Sequence, residues 1–249
     1  MATFHVKNSQ IDGKNIQIIG EDYNHLKNVL RSKIGEKIDI CDENSIKYNT
    51  KIIEYTDKAA VCEIEKIDDR NTETKVKMTL FQGLPKMDKF ELIIQKSTEI
   101  GVSDIYPVQM DRSIMKIDEK NLDKKLDRWN KISLEASKQS GRQKIPNVHT
   151  VINLKNIIEN ISKYDIVLLP YENEKSATIK DVIGDLKSNK EEFKNIAVII
   201  GPEGGFSENE ISTLSKYENV NIVTLGPRIL RTETAGIVTL AMLVYEFEL

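Results

Sequence analysis

The chain has 249 residues, 39% hydrophobic and 30% charged, with a formal net charge of −3. That length accommodates one large or two modest domains, each with its own core, and the composition excludes disordered and fibrous classes. The balance also argues against indiscriminate nucleic-acid binding. Between residues 112 and 144, however, ten Lys/Arg stand against five Asp/Glu, which fits either a phosphate-contacting surface or a solvated helical face.

The start, MATFHVKNSQIDG, has no basic segment followed by an apolar one, so no signal peptide is expected. The longest apolar-rich run, near 236–245, is far shorter than the roughly 18 residues that suggest a membrane span, so no membrane association is expected. Cys41 and Cys62 are too few for a disulfide framework and lack CxxC spacing, which makes a reduced, cytoplasmic setting the default.

In chain order, the runs NIQIIG, KIDICD, YNTKIIEY and AAVCEIEKI alternate in hydrophobicity and are bounded by Gly, Asp or Asn, as half-buried antiparallel strands are. A short helix over 23–32 is expected among them, with Leu26, Val29 and Leu30 at helical spacing. Residues 1–70 read as a small β-barrel-like domain, and the polar stretch DDRNTETK (68–75) as a linker. KVKMTLFQG reads as a strand. A helix over 88–100 follows, with Phe90, Ile93, Ile94 and Ser97 on one face, then the strand DIYPVQM and a helix over 122–140 carrying Trp129, Ile132 and Ala136. YDIVLLP, NIAVIIG and VNIVTLG are continuous apolar runs separated by helical segments. That is the signature of a parallel sheet covered on both faces, so the second domain, 76–249, is expected to be α/β with a mainly parallel sheet.

Three of the twelve glycines fall within GPEGG (201–205), between the apolar run NIAVII and a helix start. Ser207 with Glu210 three residues on forms a capping-box pattern. Ligands bind in the crevice beyond the carboxyl ends of parallel strands, and glycines there let backbone groups approach a flat ring. The plainer alternative is a tight turn. VNIVTLG also ends on a glycine, Gly226, and LLPYE ends on Pro170, so three strand ends can wall one pocket. In LRTET, Thr232 is a candidate N-cap and Glu233 favours the helix dipole. Arg231 is a cation at a helix N-terminus, disfavoured unless an anion comes near. GxxxxGK[ST], GxGxxG and GxSxG are absent, and His5, His25 and His149 are too isolated to define a metal site.

The blocks LFQGLPKMDKFELIIQKSTEIGV, RWNKISLEASKQSGRQKIP, IGPEGGFSENEI and LGPRILRTETAG resemble, in order, the signature blocks of the RsmE family. These are the small-subunit ribosomal RNA uracil-N3 methyltransferases of the SPOUT superfamily. HLKNVLRSKIGEKIDICD is similar to the family's PUA-like RNA-binding barrel, although the chain begins ATFHV where the family usually carries Arg before Phe-Phe-Val.

The resemblance implies a C-terminal trefoil knot, a homodimer, and S-adenosylmethionine (SAM) as methyl donor bound in the knot, with no metal. It implies methylation of N3 of a uridine in 16S rRNA, free or in the assembled small subunit. SAM-binding residues are expected to be Leu169, Pro170, Gly201, Glu203, Gly205, Leu225, Gly226, Leu230, Thr234 and Ala235, mostly through backbone. Arg231 is the candidate for stabilising negative charge on the uracil, and Glu233 for accepting its proton. Glu135, Gln139 and Arg142, at i, i+4 and i+7, together with Arg31, Lys86 and Arg112, are the expected RNA contacts. Two alternatives share these blocks: another SPOUT enzyme acting on transfer RNA or ribose 2′-OH, and a non-catalytic RNA-binding module.

Overall fold

The computed structural model describes residues 3–115, 121–188 and 193–248. Two units emerge from the contacts within the chain: Met1–Glu73 with Ser137–Lys144, and Thr74–Ala136 with Ile145–Leu249.

The first unit holds strands β1 (Thr3–His5), β2 (Ile11–Asp12), β3 (Asn15–Ile19), β4 (Lys37–Cys41), β5 (Lys47–Tyr55) and β6 (Ala59–Asp68) in one sheet, ordered β1-β4-β5-β6-β3-β2. Strand β1 runs parallel to β4 and the other pairs are antiparallel. The alternation expected from sequence is visible in β3, where Ile16 and Ile18 are fully buried between exposed Asn15, Gln17 and Ile19. They join Phe4, Leu26, Ile40 and Ile52 in one core. Cys41 and Cys62 are free and buried, and burial pushes both thiols up to about 12.

The helix expected over 23–32 is different in form. It consists of α1 (Gly20–Asn24) followed by one π-turn (His25–Val29). In the π-turn Leu30 N donates to His25 O, a five-residue step, and Arg31 then adopts φ 54°. The wider turn takes Leu26, Val29 and Leu30 off a common face: Leu26 is buried, while Val29 and Leu30 are exposed.

Segment 137–144 supplies the first unit with Arg142, only 4% exposed. Its guanidinium pairs with Glu73 at 2.5 Å, and Glu73 also accepts from the backbone N–H groups of Gln143 and Lys144.

In the second unit, β7 (Lys77–Gly83), β8 (Asp104–Gln109), β9 (Asn147–Val148), β10 (Ile152–Asn153), β11 (Ile166–Pro170), β12 (Asn195–Ile200) and β13 (Val220–Val223) form a parallel sheet. Its order is β10-β8-β7-β12-β11-β13, with β9 also on β8. The continuous apolar runs serve two cores, because successive side chains point to opposite faces. Ile196, Val198 and Ile200 of β12 enter one core, and Ala197 and Ile199 the other.

Helices α2 (Met87–Ile100), α3 (Leu122–Ser140), α5 (Ile179–Ser188) and α7 (Thr232–Glu248) contribute to the first of these cores. Phe90, Ile93, Ile94 and Ser97 of α2 are all fully buried, as their spacing predicts, and Trp129 of α3 meets Phe90 edge-on at 4.7 Å. Helices α4 (Leu154–Asn160) and α6 (Glu208–Leu214) serve the second core. Among the described residues, no helix is long and apolar enough to cross a membrane. Part of the basic segment flagged in the sequence, including Lys116 and Lys120, lies outside the described residues.

Candidate active site

Three loops leave the carboxyl ends of β11, β12 and β13 and, with the first turns of α2 and α7, enclose a cleft of 430 Å³. This is the crevice position expected for an open parallel sheet. Pro170, Gly201, Glu203, Gly205, Leu225, Gly226, Leu230, Arg231 and Ala235 all line it. Leu169 does not: its side chain is fully buried in the core beneath the floor. Thr234 and Glu233 are half-buried in the first turn of α7 and are not among the lining residues.

The glycines are set by geometry. Gly205 (φ +68°) and Gly226 (φ +104°) occupy left-handed backbone. A Cβ on Gly201 would lie 3.1 Å from the Gly205 carbonyl carbon, so the loop folds back on itself and a side chain there would require the backbone to give by a few tenths of an ångström. The capping box at α6 forms as expected: Ser207 Oγ accepts from Glu210 N, and Glu210 Oε2 accepts from Ser207 N at 2.8 Å. Glu210 Oε1 accepts from Asp111 N as well, and the Arg112 guanidinium donates to Gly204 O at 3.1 Å. The GPEGG loop is therefore held at its carboxyl end.

Thr232 is not the N-cap of α7 but its first helical residue. Its hydroxyl donates to Gly201 O at 2.6 Å and accepts from the buried Gln82 Nε2 at 2.8 Å. One hydroxyl thus ties the end of β7, the loop after β12 and the start of α7. Thr232→Val removes both bonds and leaves Gln82 and Gly201 with unpaired groups. We expect a loss of about 1–3 kcal/mol of stability in chemical denaturation; a midpoint equal to that of the parent would show the tie to be redundant.

Sequence reasoning missed Lys89, Glu172 and Arg228, which also line the cleft. Lys89 Nζ lies 3.5 Å from Glu203 and 3.3 Å from Glu233. Glu203 Oε1 further accepts from Lys86 N at 3.1 Å. Burial pushes the Glu203 carboxyl up, but the Lys86 N–H, its own backbone N–H and the Lys89 ammonium outweigh this and hold it below its ordinary value.

Of the expected RNA contacts, Arg31, Lys86, Arg112, Glu135 and Gln139 are exposed. Arg142 is not on a helical face with Glu135 and Gln139. Helix α3 stops at Ser140, Gly141 turns the chain at φ +72°, and Arg142 is buried against Glu73. It is placed to hold its own unit together, not to meet a phosphate.

A family model described as an RNA methyltransferase domain matches residues 72–244, and one described as an RNA methyltransferase PUA domain matches residues 18–65. The parallel sheet with its strand-end cleft, preceded by a PUA domain, thus defines an RNA methyltransferase. A ribosomal RNA small subunit methyltransferase E of Bacillus subtilis (strain 168) is 33% identical over 93% of this chain and 90% of its own length. That of Mesomycoplasma hyopneumoniae (strain 232) is 36% identical over 86% and 87%. The chain belongs to the ribosomal RNA small subunit methyltransferase E family. A crystal structure of a member from Neisseria gonorrhoeae, bound to S-adenosyl methionine, aligns over 98% of this chain and 97% of that one, with a TM-score of 0.85 at 28% identity.

Proposed function

We propose that this chain transfers a methyl group from SAM to N3 of a uridine in 16S rRNA of the small ribosomal subunit. The observation that carries this reading is the cleft at the ends of β11, β12 and β13, walled by backbone at Gly201, Gly205 and Gly226 and carrying Arg231 on its edge. Gly226, where a Cβ would meet no protein atom within 4 Å, leaves that wall open to the flat adenine of SAM, and the family supplies the donor by analogy.

SAM, when bound, provides a methyl group on an already activated sulfonium. The chain's own residues then hold the two reactants in line and manage the weakly acidic N3–H. Backbone around Pro170, Gly201, Gly205, Leu225, Gly226, Leu230 and Ala235 orients the donor. Arg231 stabilises the uracil as N3 loses its proton. Nucleoside mass spectrometry of small-subunit rRNA, comparing a deletion strain with its parent, tests the reading: loss of one N3-methyluridine is expected. Loss of a ribose or transfer-RNA methyl group instead would refute it. A relic without activity would show no heat on titration with SAM.

Residues 1–70 serve as the RNA-binding domain and 76–249, apart from the 137–144 segment that belongs to the first unit, as the catalytic one, with the last segments threaded as a knot. The protein acts in the cytoplasm as a homodimer. Met242 and Tyr245 of α7 are 39% and 67% exposed, an apolar strip that a second copy would cover. On the RNA side, Arg31→Ala should reduce the slope of log affinity against log salt by about one while leaving SAM affinity alone. Arg112→Ala should weaken both ligands, because its guanidinium also holds the Gly204 carbonyl. Salt titrations by fluorescence anisotropy check this, and an unchanged slope for Arg31→Ala would make that arginine a bystander.

A further inference from the structure

A lysine in the first turn of a helix opposes the helix dipole, and α2 carries Lys89 there. Its ammonium lies between two carboxylates from different elements, Glu203 of the loop after β12 and Glu233 of the first turn of α7. The three side chains are only 20%, 23% and 15% exposed. Glu233 Oε2 is buried without a hydrogen-bond partner, so the ion pair with Lys89 is what offsets its burial.

Lys89 and Glu203 line the cleft, whereas Glu233 does not. Glu203 is held below its ordinary pKa, chiefly by the Lys86 N–H once burial is overcome, and is therefore a weak proton acceptor. What the trio presents to the cleft is an oriented ammonium, not a base. A donor fixed in advance stabilises developing charge without reorganising during the reaction.

Resting on the assignment of this cleft to uracil N3 methylation, we propose that Lys89 is a catalytic residue that donates to a uracil carbonyl oxygen flanking N3, and that Glu233 acts through it as a positioning residue. In this step the N3–H bond breaks and its proton passes to water in the open cleft. The negative charge spreads onto the flanking oxygen facing Lys89, N3 forms the new bond to the methyl carbon, and the electrons of the broken S–C bond stay on sulfur. Glu203 and Glu233 are the carboxylates facing the ammonium.

The test uses a short RNA containing one 5-fluorouridine at a position the parent protein methylates. Fluorine NMR reads the N3 ionisation of that base in the complex with protein and S-adenosylhomocysteine, independently of turnover. Lys89→Met is expected to raise the bound N3 pKa by about one unit, tenfold in ionisation. It should also slow single-turnover methylation on the order of a hundredfold, with SAM and RNA affinities within a few fold of the parent. Lys89→Arg should restore a large part of both. Glu233→Gln should fall between parent and Lys89→Met in both readouts.

An unchanged bound N3 pKa in folded Lys89→Met, or a loss of rate matched by a loss of SAM affinity, would overturn the proposal and leave Lys89 as a brace between loops. If Lys89→Met does not fold, Lys89→Arg and Glu233→Gln carry the test, and parent-like ionisation in both overturns the proposal. Failure of the parent to methylate N3 of any uridine would instead refute the functional assignment.

Discussion

Arg231→Ala is expected to slow single-turnover methylation on the order of a hundredfold while SAM and RNA affinities change little. Arg231 immediately precedes α7, where the helix already carries partial positive charge. It is exposed, lines the cleft and, among the described residues, makes no ion pair. A cation left unpaired in that position is electrostatically costly until an anion arrives. If that anion is the uracil as N3 loses its proton, the interaction exists mainly in the transition state. Its loss then lowers turnover without a matching loss of binding. Removing one donor of this kind typically costs about a hundredfold or more. Raising the pH should partly rescue the variant, because more N3 is then ionised without help. Rapid-quench measurements across pH, at saturating SAM and RNA, decide the matter. A parent rate, or a defect explained wholly by weaker RNA binding, refutes the role.

Gly226→Ala is expected to weaken SAM binding more than tenfold, or about 1.4 kcal/mol. Gly226 sits at φ +104° on the loop after β13, and a Cβ there would meet no protein atom within 4 Å. The added methyl therefore clashes with nothing in the chain itself. Its expected effect comes from the backbone conformation an alanine resists and, on the proposed placement of SAM, from the ligand space it enters. Isothermal titration with SAM, alongside a thermal melt, separates the two. A variant that melts lower but binds SAM with parent affinity would show that the glycine serves only the turn.

Much of this was legible along the chain because it is written in neighbouring residues. Alternation in NIQII placed Ile16 and Ile18 inside, and the continuous run NIAVII sends alternate side chains into two cores. Ser207 and Glu210 announced a capping box that forms as spaced. The GPEGG and LGPRILRTETA blocks located the cleft, since strand ends followed by glycines are local signals too.

What the tertiary structure alone decided are pairings between residues far apart in sequence. Arg142 looked like a phosphate contact because its charge was visible and Glu73 was 69 residues away. Thr232 looked like a cap until the fold brought Gln82 and Gly201 to its hydroxyl. Lys89 carries no local signal in an amphipathic helix, and only the return of β12 and α7 to the start of α2 surrounds it with Glu203 and Glu233. The physical reason is range. Periodicity and capping depend on contacts a few residues apart, so composition and spacing determine the elements and where each begins. The partner of a buried charge is set by which loops the topology brings together, and that pairing decides whether an arginine or lysine meets solvent, a carboxylate or a substrate.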